Sequence, residues 1–135
     1  MCIVQPPQGA AAVGNVVVNE GDETLILKDI SLVEANNLEL LDGYIFPIDG
    51  ENGFVLGAGS TEPEDPQEKA AWATAQQPGL FELSPDAAAN VVVAVDKTTE
   101  AQGTAEGIRV TYSIDGQQYT ADTTMTIELA ATTCF

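Results

Sequence analysis

Two acidic loops concentrate side chains whose oxygen atoms could bind a metal ion. Calcium takes about six to eight oxygen ligands, often from flexible loops. Neither loop has the spacing of the twelve-residue calcium-binding loop, and acidic clusters arise by chance in a chain as acidic as this one. We therefore expect solvated loops, with a calcium site as the alternative. The candidate ligands are Asp49, Glu51 and Asn52 in the first loop, and Glu62, Glu64 and Asp65, followed by Glu68, in the second.

The composition excludes most catalytic machinery built from side chains. There is no histidine, which removes Ser-His and Cys-His nucleophiles and imidazole metal sites. Two cysteines are too few for a four-thiolate zinc site or an iron–sulfur cluster. Paired carboxylates could hydrolyse a glycoside in a cleft lined by aromatic side chains, but aromatics are only 6% of the chain. We therefore expect a protein that is not an enzyme.

The two cysteines, Cys2 and Cys134, lie at opposite ends of the sequence. A disulfide between them would close nearly the whole chain, with an entropic stabilisation of about 4–5 kcal/mol. Because disulfides persist in oxidising compartments, this pairing predicts a secreted or cell-envelope protein. Two alternatives remain open. Cys2 could carry a lipid after removal of a signal peptide, leaving Cys134 free, or both cysteines could be reduced thiols.

The charge of the chain is strongly one-sided. Its 21 acidic and 4 basic residues give a formal net charge of −17. This field repels nucleic-acid phosphates and anionic lipids, so we expect no nucleic-acid partner. The acidity favours solubility in a salty or extracellular setting, with a cationic partner or bound calcium as the alternatives. No apolar run is long enough to predict a transmembrane helix.

Residues 107–129 predict a β-hairpin with one buried face. Apolar and polar side chains alternate on the first arm, the period of two that a half-buried strand requires. Asp115-Gly116 predicts a two-residue type I′ turn, which fixes the register. The expected pairs are Ile114–Gln117, Tyr112–Tyr119, Val110–Ala121 and Ile108–Thr123, with Met125, Ile127 and Leu129 continuing the same face.

Most of the remaining chain is also predicted to form strands. The apolar run 91–95 indicates a central strand covered on both faces. A change of phase within 24–33 predicts a bulge at Lys28-Asp29, and a second bulge is expected at Asp42-Gly43. A further short strand is expected to begin at Phe54–Leu56.

One helix is predicted between the strands. Asp65 is a suitable N-cap, Pro66 suits the first helical position, and Pro78 follows the helix. Trp72 is expected to hold the helix against the sheet. With about eight strands, the chain is expected to form a single all-β domain over residues 1–135, an antiparallel two-sheet sandwich with one short connecting helix.

The second half of the chain resembles bacterial secreted immunoglobulin-like domains. The resemblance lies in FELSPDAAANVVVAVD, residues 81–96, and in the hairpin of residues 107–129. In those domains a pair like Leu83-Ser84 before a proline-containing turn leads into a valine-rich strand, and a tyrosine-bearing hairpin closes the sheet. The resemblance implies an immunoglobulin-like sandwich and an extracytoplasmic location, but no particular activity. Unlike antibody domains, the chain has terminal cysteines and no tryptophan on a central strand.

These observations predict a non-catalytic extracytoplasmic module that binds a protein partner or self-associates. Its working surface is expected to be the acidic loops, or an exposed strand edge that accepts an added strand. The first alternative is a subunit of a surface layer or filament, in which residues 3–12 would project and pair with a neighbouring copy. The second is a calcium-binding accessory domain. No cofactor other than calcium is expected.

Overall fold

The computed structural model describes residues 1–48, 55–130 and 133–134, which form a β-sandwich with one short helix. The strands are β1 (Cys2–Val4), β2 (Ala11–Val18), β3 (Leu25–Val33), β4 (Leu38–Pro47), β5 (Ala58–Ser60), β6 (Phe81–Leu83), β7 (Ala88–Lys97), β8 (Gly103–Ala105), β9 (Gly107–Ile114), β10 (Gln117–Asp122) and β11 (Ile127–Ala130), and the helix α1 (Pro66–Ala73) lies between β5 and β6.

Two four-stranded antiparallel sheets form the sandwich. The first has the strand order β4-β7-β2-β5, and the second has the order β10-β9-β3-β6. The apolar faces of the two sheets pack on each other in one continuous core, to which both sheets contribute Val, Ile, Leu and Ala side chains. The sequence prediction of an all-β sandwich is confirmed.

Strand β7 is buried on both faces, as its unbroken apolar run predicts. Val91, Val93 and Val95 belong to the core between the sheets. Val92, which points to the other side, packs in a second cluster with Phe46 and the helix residue Ala71. The first sheet is therefore covered by the second sheet on one face and by α1 on the other.

Helix α1 begins where the sequence predicts. The Asp65 carboxylate accepts hydrogen bonds from the backbone N–H groups of Gln67 (2.7 Å) and Glu68 (3.4 Å), which satisfies donors that have no partner within the helix. On its buried side, Trp72 makes edge-to-face contacts with Tyr44 (5.0 Å between ring centroids) and Phe46 (4.9 Å). Trp72 thus attaches the helix to β4.

The hairpin forms with the predicted turn and register. Asp115 and Gly116 both have positive φ, 50° and 81°, as a type I′ turn requires. Tyr112 lies opposite Tyr119 and Val110 opposite Ala121, as expected. The predicted bulge at Lys28 is also confirmed, and the bulge in β4 lies near its predicted position, as a register shift between Leu40 and Asp42.

The prediction that the second arm continues through Met125 to Leu129 is wrong. The backbone N–H of Thr123 still donates to the carbonyl of Ile108, but the N–H of Ile108 donates to the Thr123 hydroxyl (2.8 Å) instead of the Thr123 carbonyl. The ladder ends there. Strand β11 belongs to a third sheet, in which it pairs with β8 in antiparallel and with β1 in parallel orientation.

The strand expected from Phe54 is also wrong within the described residues. Phe54 lies outside them, and Val55 and Leu56 are not in a strand; β5 begins at Ala58. The reason is the buried side chain of Asn90. Its Oδ1 accepts a hydrogen bond from the Leu56 N–H (2.7 Å) and its Nδ2 donates to the Leu56 carbonyl (3.2 Å), so a side chain takes the place of a neighbouring strand.

A disulfide joins Cys2 to Cys134, with a Cα–Cα distance of 5.9 Å and a sequence separation of 132. The parallel pairing of β1 with β11 brings the two ends of the chain together, with Cys2 opposite Glu128. Strand β1 is only three residues long, so the crosslink and three residue pairs hold it in place.

We expect the double variant C2S/C134S to lose about 4–5 kcal/mol of unfolding free energy, because the unfolded chain regains the entropy of an open loop. Urea denaturation of the oxidised protein and of the variant measures this difference. The protein with both cysteines reduced serves as the control and should match the variant. A loss below about 1 kcal/mol would show that the crosslink does not restrict the unfolded chain.

Candidate functional site

An open cleft lies between the two sheets, at the end of the sandwich where β2 finishes and β3 starts. Its volume is about 330 Å³, near the lower limit for pockets that take small ligands. Its walls come from both sheets and are mostly apolar. The residues that line it are Val17, Val18, Asn19, Glu20, Gly21, Leu25, Leu27, Leu83, Val110, Tyr112, Ile114 and Ala121.

The hairpin forms one wall of the cleft. Val110, Tyr112 and Ile114 alternate with outward-facing residues, so their side chains share the face that points to the other sheet. Strand β10 is exposed along its whole length. Tyr119 on β10 stacks on Tyr112, with ring centroids 5.6 Å apart, and remains 41% exposed. The apolar wall therefore reaches beyond the closed core toward solvent.

Asn19 holds the loop at the mouth of the cleft in place. This side chain is buried, at 3% exposure, and makes three hydrogen bonds to the backbone. Its Nδ2 donates to the carbonyls of Glu23 (2.8 Å) and Leu83 (2.9 Å), and its Oδ1 accepts from the N–H of Gly21 (3.0 Å). Because buried polar groups need partners, these bonds fix one conformation of the loop and tie it to β6.

Four carboxylates, Glu20, Asp22, Glu23 and Asp115, lie in the loop and the hairpin turn beside the cleft, and we call them the acidic rim. Glu20 lines the cleft directly, and Asp115 follows the lining residue Ile114 in the hairpin turn. The negative charge of Asp115, and then a hydrogen bond between the two carboxyl groups, raise the pKa of Glu23. Among the described residues, no lysine or arginine lines the cleft.

We expect Asp115→Asn to raise the melting temperature at neutral pH. A raised carboxyl pKa favours folding only while the carboxyl is protonated, so this contribution is lost as the pH rises through the pKa of Glu23, and repulsion remains at neutral pH. Asparagine removes the repulsion and still tolerates the positive φ of this turn position. Thermal unfolding at pH 7 and at about pH 3, where carboxylates are largely protonated, measures the effect, which should shrink at the lower pH.

Asp86→Asn is the matched control. Asp86 is also exposed and has a positive φ of 65°, and its replacement changes the net charge equally. It is not among the groups that raise the pKa of Glu23. Equal increases in melting temperature in the two variants would assign the effect to turn conformation or net charge rather than to the Glu23–Asp115 pair.

The residues proposed as calcium ligands are only partly described. Asp49, Glu51 and Asn52 lie outside the described residues. Glu62, Glu64 and Asp65 are exposed, and Glu62 and Glu64 border a cavity of about 440 Å³ beside Pro6 and Pro7, while Asp65 caps α1. Within the described part of the chain, no group of three or more acidic, histidine or cysteine side chains is arranged to hold a metal ion. The calcium site therefore stays a prediction.

A second acidic group borders a separate cavity of about 570 Å³, lined in part by Glu34, Glu106 and Glu128. A hydrogen bond with Glu34, and then the charge of Glu34, raise the pKa of Glu106. Glu34 and Glu106 are exposed, so their neighbouring charges rather than enclosure in an apolar pocket dominate. A general acid of a glycosidase gains its raised pKa from a less exposed setting and needs its partner about 5 Å or more away.

Sequence reasoning missed the cleft and its rim. The run Asn19-Glu20-Gly21-Asp22-Glu23 places acidic residues beside glycine, which is typical of a turn and does not by itself indicate a site. The available signal was the asparagine that directly follows the three valines at the end of β2. An asparagine at the end of a strand commonly bonds to the backbone of the following loop.

Comparison of the chain with known protein families and with curated proteins finds no match. In the part of the chain that the structure describes, no helix is both long and apolar enough to cross a membrane.

Proposed function

We propose that this protein is a non-catalytic extracytoplasmic binding module of the immunoglobulin-like type, and that its ligand enters the cleft. The observation that carries the proposal is an open cavity between the two sheets with mostly apolar walls. Binding sites for small molecules are usually concave, largely apolar and already formed in the free protein. The cleft has these properties, because its walls belong to paired strands and Asn19 fixes the loop at its mouth.

The strand topology supports the immunoglobulin-like assignment. Six strands, β2, β3, β4, β7, β9 and β10, can be labelled B to G in chain order. The first sheet then contains D-E-B and the second contains G-F-C, which is the division of strands in immunoglobulin domains. This chain adds β5 and β6 at the sheet edges and the third sheet at the termini.

The terminal disulfide supports the extracytoplasmic location, because reducing compartments keep such cysteines as thiols. We expect protein purified from its native source, alkylated before any reductant is added, to carry no alkyl group and to run as a monomeric mass. Reduction before alkylation is the control and should add two alkyl groups. Two alkylated thiols without reductant would contradict the proposed location.

Ligand entry into the cleft can be tested with 1-octanol, a small neutral amphiphile. We expect it to shift the backbone amide NMR signals of Val17, Leu27, Val110 and Ile114 in a saturable manner. The variant A121W should abolish these shifts, because Ala121 lines the cleft from the exposed strand β10 and a large side chain would fill the space.

Thr120→Trp is the matched control for this variant. Thr120 is the exposed neighbour of Ala121 on the same strand, and its side chain points to the opposite face of the sheet. This variant should bind octanol like the parent protein. If octanol causes no saturable shifts, or if both tryptophan variants reduce them equally, the cleft is not the binding site.

No observation favours a filament subunit built on a projecting N-terminal segment. Within residues 3–12, Ile3 and Val4 pair with β11, the Gln5 N–H donates to the Ala130 carbonyl, and Ala11 and Ala12 belong to β2. Ile3, Val4, Gln5, Ala11 and Ala12 are therefore bound within their own chain.

A further inference from the structure

We infer that the cleft takes small amphipathic amines, with the apolar body of the ligand between the sheets and its cationic group at the acidic rim. This inference rests on the proposed function of the cleft and names the chemical class of its ligand. It follows from two separate features, the apolar walls and the charges at the mouth.

The apolar walls determine the body of the ligand. Leu25, Leu27, Leu83 and Val110 are buried residues that line the cleft, and their side chains offer no hydrogen-bonding group. A polar ligand group placed there would lose its hydrogen bonds to water without replacement, which is unfavourable. An alkyl or aryl group would instead remove apolar surface from water on both sides, which is favourable.

The acidic rim determines the charge of the ligand. Its four carboxylates lie in the loop of residues 20–23 and in the hairpin turn, and the interaction between Glu23 and Asp115 is repulsive when both are ionised. An ammonium group at this position would relieve the repulsion and donate hydrogen bonds to the carboxylate oxygens. A ligand with a carboxylate or phosphate head group would instead be repelled by these carboxylates.

Local positioning and overall charge both favour the cation. The Asn19 hydrogen bonds hold the loop that carries Glu20, Asp22 and Glu23, and the type I′ turn holds Asp115. Because the backbone is already ordered, binding costs little conformational entropy there. The net charge of −17 also concentrates cations near the surface. The one arginine is already paired with Asp122, at 2.8 Å, and does not line the cleft.

The test compares three ligands that share one chain and differ in head group: 1-octylamine, which is an ammonium ion at pH 7, 1-octanol and octanoate. Amide NMR titrations of the intact oxidised protein at about 0.05 M salt give the three dissociation constants. We expect octylammonium to bind at least about tenfold more tightly than octanol, and octanoate to bind most weakly. The preference should fall at about 0.5 M salt, because ions screen exposed charges.

The variant E20Q/D22N/E23Q/D115N should reduce the ratio of octanol to octylammonium dissociation constants below about twofold. The control variant E39Q/E62Q/E64Q/E100Q removes the same number of charges from exposed residues outside the cleft lining, and should keep the tenfold ratio. An equal loss of preference in both variants would assign it to net charge and overturn the inference.

The outcomes also separate this inference from the proposed function. If all three ligands bind the parent protein equally and A121W abolishes their binding, the cleft is a binding site but not one for amines, and only the inference fails. If none of the three binds saturably, both the inference and the proposed site fail.

Discussion

The burial of β7 on both faces is the constraint on which the rest of the structure depends. A strand with adjacent valines on opposite faces cannot leave either face in water without exposing a large apolar surface. One face is covered by the second sheet and the other by α1 together with Phe46 and Leu56. Asn90, which precedes the apolar run 91–95, is fully buried and bonds to the backbone of Leu56 and Asn15. β7 also pairs with β2 along its length, and thereby positions the strand whose end forms the cleft.

Local patterns in the sequence were enough to predict the elements that their own residues determine. Alternation predicted the hairpin, Asp115-Gly116 its turn, and Asp65-Pro66 the start of α1, because each depends on neighbours in sequence. The errors arose where a distant side chain replaced a backbone partner. The Thr123 hydroxyl ends the ladder of β10, and Asn90 binds the Leu56 backbone in place of a strand. A side chain that takes the place of a backbone hydrogen-bond partner leaves no periodic pattern in the sequence, since threonine and asparagine occur in strands and loops for many reasons.

The candidate site was less predictable than the fold. The cleft lies between the two sheets at the end of β2, and its lining comes from residues far apart in the sequence. The charges at its mouth are spread over residues 20–23 and 115, which only the register of β3 on β9 brings together. In a chain with 21 acidic residues, the neighbouring sequence does not distinguish these carboxylates from the other acidic residues. The acidic loops chosen from sequence were simply the densest runs.

The disulfide between the two ends also determines how the domain would respond to mechanical tension. Every residue from Cys2 to Cys134 lies within one covalent ring. A force that pulls on the two ends would pass through the sulfur atoms, and the hydrogen bonds of the sheets would carry none of it. The oxidised domain is therefore a link of fixed length. After reduction, the same force would act on β1 and β11, which are parallel and would be pulled from opposite ends, so their few hydrogen bonds would be loaded in shear.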